Sequence, residues 1–110
     1  MVVGRGATLT IKPGTTVLFE KIDSNDDGIG DSEIRVLGRL LAKGTQADPS
    51  LCQSADADPH RKDWSYIIFF TSGQVSVVEH CVIKHGFSGL QAHFSTVNIA
   101  NVTFQDNHEG

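Results

Sequence analysis

"VSVVEHCVIKHGFSGL" spans Val75 to Leu90, and "VNIANVTFQDNHEG" spans Val97 to Gly110. Gly89 and Gly110 lie 110 − 89 = 21 residues apart. At that offset Val78 falls on Ile99, Cys81 on Val102 and Ile83 on Phe104, while His80 falls on Asn101 and Ser76 on Val97. Small or apolar residues meet apolar ones, and polar meets polar. Each copy reads as two very short strands with period-2 alternation, Val97-x-Ile99 and Val102-x-Phe104, on either side of the corner Ala100-Asn101. Strands this short gain stability only by stacking on the equivalent strand of the next coil, which builds parallel sheets and one continuous core. The repeat therefore predicts rungs of a coil.

The first half has the same texture at other lengths. In "ATLTIKPGTTVLFE", Leu9 and Ile11 alternate inward, Pro13-Gly14 turns the chain, and Val17 and Phe19 alternate again. "EIRVLGRLLAKG" is long enough for a helix, but Gly38 in its middle and Gly44 at its end favour strand, turn, strand. "DWSYIIFF", rich in β-branched and aromatic residues, reads as strand. The expected class is all-β, with residues 1–110 as one domain and two loop excursions, at 21–33 and 43–63.

These motifs resemble the right-handed parallel β-helix, the solenoid shared by pectate-lyase-like and many bacterial surface proteins. A rung like Gly6 to Glu20 precedes a "V-x-G-x-L-x-A-x-G-T" rung (Val36, Gly38, Leu40, Ala42, Gly44, Thr45), then a "W-x-x-I-x-F" rung (Trp64, Ile67, Phe69), then shorter rungs. The resemblance covers nearly the whole chain and implies about five short rungs. It also implies a secreted or cell-surface setting, with carbohydrate as the leading ligand class. Members of such a fold family do many things, so architecture carries over more firmly than function. The second copy stops at Gly110, before the strand that Leu90 to Ala92 forms in the first. The expectation is a coil without end caps, either part of a longer protein or a unit that forms a homo-oligomer through exposed rung ends.

Composition excludes other classes. At 39% hydrophobic and 20% charged residues the chain matches an ordinary globular domain. No apolar run approaches the roughly 18 residues of a membrane span. Net charge is −4 with Lys and Arg scattered, so no footprint for nucleic-acid phosphates is present. Met1 to Thr10 has no signal-peptide pattern, although a processed secreted chain would look the same. Cys52 and Cys81 lack CxxC spacing; Cys81 falls on an inward position and Cys52 in the second excursion.

The sharpest local signal is "DSNDDGIGDSE", Asp23 to Glu33. Asp23, Asn25 and Asp27 at alternate positions, followed by Gly28 and with Asp31 at the ninth position, match the oxygen-ligand spacing of a calcium loop. Calcium is the expected cofactor of that set. The twelfth position holds Ile34, so the bidentate glutamate of an EF-hand is missing, and an exposed acidic turn explains the same residues. Asp56, Asp58 and Asp63 of the second excursion join the set if the two loops lie adjacent. His85 and Asp106, one period apart, place an imidazole and a carboxylate on one outer face, a pair read as structural rather than catalytic. The paired aspartates of a β-helical hydrolase and the acid cluster beside an arginine of a lyase are not found. The leading reading is a non-catalytic scaffold or binding module, with Ser76, Lys84, Asn98 and Gln105 as outward side chains. The alternative is a fragment of a polysaccharide lyase or glycoside hydrolase.

Overall fold

Short alternating runs separated by Gly, Pro, Asn and Asp fold as strands throughout. The computed structural model describes residues 1–109, and no helix occurs among them. In chain order the strands are β1 (Val2–Val3), β2 (Thr8–Ile11), β3 (Thr16–Phe19), β4 (Ile34–Val36), β5 (Arg39–Lys43) and β6 (Ser50–Ser54). They continue with β7 (Trp64–Phe70), β8 (Ser76–Glu79), β9 (Cys81–Lys84), β10 (Gly86–His93), β11 (Val97–Ala100) and β12 (Thr103–Gln105). Each strand pairs in parallel with the strand three places along the chain. The result is three four-stranded sheets: A (β1-β4-β7-β10), B (β2-β5-β8-β11) and C (β3-β6-β9-β12). The fold is a parallel β-helix of four rungs.

Four rungs replace the expected five because "DWSYIIFF" and the first repeat copy are sides of one rung, β7 with β8 and β9. The 21-residue period holds in sheets B and C, where Val97 pairs with Ser76 and Gln105 with Lys84. Sheet A runs at a different offset, since His93 pairs with Phe70 after an irregularity between Gly86 and Gly89. Gly110, the proposed counterpart of Gly89, lies outside the described residues.

A correction concerns the second excursion. Residues 43–63 are not one loop, because β6 lies within them and pairs with β3 and β9. Two shorter connections remain, 44–49 and 55–63. The strand is hard to read because its inward residues are Ser50, Cys52 and Ser54. Ser50 Oγ donates to the Lys12 carbonyl at 3.0 Å and Ser54 Oγ to Asp63 Oδ2 at 2.7 Å, so small polar groups are buried with their bonds made. Cys52 is accordingly in the core rather than in a loop.

The inward residues form one core running up the coil, including Ile11, Phe19, Val36, Leu40, Ile67, Phe69, Val78 and Ile83. Burying an aliphatic or aromatic side chain of this kind contributes roughly 1.5–3 kcal/mol, which no isolated three-residue strand could recover alone. Gly38 shows why a motif position is fixed: a Cβ there would overlap the Gly4 and Ala7 carbonyl oxygens of the rung below. In the upper rungs single residues in the left-handed region turn the corners. These are His80 (φ 46°) with Asn101 (φ 54°), and His85 (φ 68°) with Asp106 (φ 54°). His, Asn and Asp tolerate that region better than β-branched or bulky residues.

Candidate functional site

The longest connections gather at one edge, the corner between sheets C and A. Residues 20–33 leave β3 for β4 there, residues 55–63 leave β6 for β7, and single residues, His85 and Asp106, follow at the same corner above. Loops leaving one edge of successive rungs are where solenoids carry variable chemistry.

The two excursions do lie adjacent. The Gly30 amide donates to the Lys62 carbonyl at 2.7 Å, and Ser65 Oγ donates to the Gly30 carbonyl at 2.6 Å. A Cβ on Gly30 would overlap the Asp63 carbonyl, so the approach requires glycine. Asp63, only 2% exposed, is the knot between them. Its Oδ2 accepts from Ser54 Oγ at 2.7 Å and from the His60 amide at 3.1 Å, while Lys21 Nζ lies 3.8 Å from Oδ1. Asp63 therefore faces the interior and does not join the acidic loop as a cation ligand.

Within the acidic loop, carboxylate oxygens of Asp23, Asp27 and Asp31 lie within 4.8 Å of one another, all exposed. Asp23 accepts from the Asp27 and Gly28 amides at 3.2 and 2.9 Å, and Gly28 sits at φ 82° to allow that turn. Asp31 Oδ2 accepts from Ser24 Oγ at 2.6 Å and from the Ser24 amide at 2.8 Å, which holds its carboxyl below the usual aspartate range. Asn25 is exposed and makes no side-chain hydrogen bond among the described residues. Asp56 and Asp58 lie outside this carboxylate group. Asp56 instead accepts from the Asp58 amide at 2.9 Å.

Where the second excursion meets the corner residues of the upper rungs, Pro59, His60, Arg61, His85 and Asp106 line a concavity of about 400 Å³. His85 Nδ1 accepts from the Ser54 amide at 3.2 Å, and the His85 carbonyl accepts from the Asp63 amide at 3.0 Å. Partial burial, and then the neighbouring Lys84, push the imidazole below its usual range, against the opposing pull of Asp106 and Asp63. His85 and Asp106 stand in the stacked relation that their spacing implied, without a hydrogen bond between their side chains among the described residues.

A second surface was missed in the sequence. Ile67 and Phe69 of β7 enter the core, so Tyr66, Ile68 and Phe70 alternate onto the other face of sheet A, where Tyr66 is half-buried, Ile68 is buried and Phe70 is exposed. Across neighbouring strands Ile68 pairs with Arg35 and Gln91, and Phe70 pairs with His93. The Phe70 and His93 rings are tilted at 43° with centroids 5.9 Å apart. His93 Nε2 lies 3.1 Å from Gln91 Oε1, Gln91 Nε2 donates to Ser88 Oγ at 2.9 Å, and Arg35 meets Glu33 at 3.4 Å. Phe70 is 43% exposed, and Phe94 at the following corner is 87% exposed at φ 50°. The signal available was the period-2 placement of Tyr66 and Phe70, out of phase with the motif positions Ile67 and Phe69.

Of the outward residues expected, Asn98 and Gln105 are exposed and Lys84 is half-buried. Ser76 is corrected: it points inward, fully buried, and its Oγ accepts from the Leu40 amide at 3.0 Å. Trp64 is also fully buried and so does not present a ring to any ligand.

No family model matches the chain, and no curated protein or solved structure matches it.

Proposed function

We propose that the chain is a non-catalytic binding module on a right-handed, pectate-lyase-like β-helix, secreted or displayed at a cell surface, and that it takes carbohydrate on the outer face of sheet A. The observation that carries this reading is the exposed Phe70 ring beside the His93 ring, with half-buried Tyr66 on the same face of β7, the polar Gln91 and Arg35 on the neighbouring strands, and Phe94 beyond. Exposed aromatic surface costs solubility and marks a recognition face. Amide, imidazole and guanidinium groups beside rings supply directional bonds to hydroxyls. Against the enzyme-fragment reading, Arg35 is engaged by Glu33, and Arg39 Nε is bonded to Thr8 Oγ1 at 3.3 Å. The test is a glycan array probed with the chain and with Tyr66→Ala and Phe70→Ala. Binding to a defined glycan class that falls about tenfold in either variant, the usual size for losing one anchoring aromatic, supports the reading. Absence of binding across the array, or product release from any bound polysaccharide, overturns it.

Calcium held by Asp23, Asn25, Asp27 and Asp31 belongs to the same proposal as a clamp on the excursion 20–33. Self-association is a second reading, favoured by one observation: Leu9, Ile11 and Val17 of the first rung and Ile34 of the second surround an apolar concavity of about 380 Å³. The edge strands there suit strand addition by another copy. A discrete oligomer by light scattering that dissociates on Val17→Lys supports it, and a monomer at high concentration refutes it.

A further inference from the structure

The concavity at the corner of sheets C and A is a separate site, and the geometry points to a neutral polyol as its ligand, a sugar unit offering neighbouring hydroxyls. This rests on the carbohydrate reading for the class of ligand but not on the sheet A face for its place.

Three features select that chemistry. The first is the tautomer of His85. Its Nδ1 accepts from the Ser54 amide, so the neutral ring carries its proton on Nε2. Nε2 has no hydrogen-bond partner among the described residues, and it is a donor without a free lone pair. A transition metal would need that lone pair, so a metal ion does not fit the ring as it is held. The second is charge. Arg61 and Asp106 line the same concavity, a guanidinium and a carboxylate in one site. A free anion meets Asp106, a cation meets Arg61, and an apolar ligand leaves both without partners. A hydroxyl satisfies both sides, because it accepts from Nε2–H or the guanidinium and donates to the carboxylate. The third is support. His85 is held through both its ring and its carbonyl by residues 54 and 63, and the His60 amide is held by buried Asp63. Asp63 is thus a positioning residue that fixes two walls without touching the ligand. Pro59 adds a rigid apolar wall, and about 400 Å³ falls within the range of small-ligand sites.

The experiment is an NMR titration of the full chain with a panel of neutral mono- and disaccharides of gluco, galacto and manno configuration. Digalacturonate and zinc serve as acidic and metal controls, and the readouts are the His85 ring nitrogens and the Asp106 amide. The expected result is saturable shifts at both positions with at least one neutral sugar. Asp106→Asn, which keeps a residue tolerant of the left-handed corner, weakens that binding about tenfold and leaves the remaining spectrum unchanged. Shifts produced by digalacturonate or zinc but by no neutral sugar, or no shift at His85 with any of them, overturn the proposal. Glycan binding that depends on Phe70 with His85 silent sinks this inference while the reading of sheet A stands. Loss of sugar binding at both places sinks both.

Discussion

Phe19 of the first rung lies flat against Trp64 of the third, with ring centroids 3.9 Å apart and planes within 4°. The contact spans two rungs because Ser54, which pairs with Phe19, is small, and the indole fills the space above it. Trp64 Nε1 donates to the Lys84 carbonyl at 2.7 Å, which satisfies the indole's one polar group inside the core. Trp64→Ala should therefore cost about 3–5 kcal/mol, as expected for a large aromatic removed from a packed core. Urea denaturation checks this. Trp64→Phe, which keeps the stack and loses the hydrogen bond, should fall between the variant and the parent chain.

His85 gives the coil a pH dependence of known sign. Its folded pKa lies below the ordinary histidine value, so the folded state favours the neutral ring. Its contribution is intact above the unfolded pKa of about 6.5 and is lost as pH falls through the lower folded value, where a protonated Nδ1 would meet the Ser54 amide. Stability measured from pH 7.5 to 4.5 should decline more steeply in this window for the parent than for His85→Asn. Parallel curves would refute the assignment.

The two thiols should be silent in the native protein. Burial, and secondarily the neighbouring Cys81, push the Cys52 thiol up to about 12, and burial raises Cys81 as well. Cys52 pairs with Ile83 and Cys81 with Ser50, so the two are diagonal neighbours on adjacent strands. That relation separates them by about 7–8 Å, beyond the reach of an unstrained disulfide. A colorimetric thiol reagent should label neither cysteine in buffer and both in denaturant.

At the excursions, Gly30→Ala should destabilise the chain by about 1–3 kcal/mol, since a methyl group there displaces the Asp63 backbone. Exchange of the Ser65 and Asp63 amides should accelerate with it, because the strain falls where the two loops meet. A variant as stable as the parent would contradict the observed approach.

Millimolar calcium should raise the melting temperature modestly, given the roughly 10⁻⁴ to 10⁻³ M affinity of extracellular calcium modules. Asp27→Asn should abolish the rise and leave the melting temperature without calcium nearly unchanged, because Asp27 is exposed and bonds only the Ile29 amide. An equal rise in the variant would leave the loop as a plain acidic turn.

The parts of the fold that could be read from sequence are those where repeat length and alternation agree. Val78 over Ile99 and Ile83 over Phe104 came from a constant spacing in sheets B and C, and the pairing follows it. Sheet A was not legible as a repeat, because the irregularity between Gly86 and Gly89 changes its offset. β6 was hidden because its core face is Ser50, Cys52 and Ser54, whose burial depends on partners distant in sequence. The stacking of His85 and Asp106 was readable from one period, whereas the closure around Asp63 was not. That closure joins Lys21, Ser54 and His60 through bonds that no spacing encodes.

The most direct measurement of the central claim is amide and aromatic chemical-shift mapping of the full chain with a glycan selected from the array. The account predicts perturbations at Tyr66, Phe70, Gln91 and His93, with the core residues Val36 and Ile67 unmoved. Perturbations confined to the apolar concavity around Leu9, Val17 and Ile34, or none at saturating glycan, would contradict it.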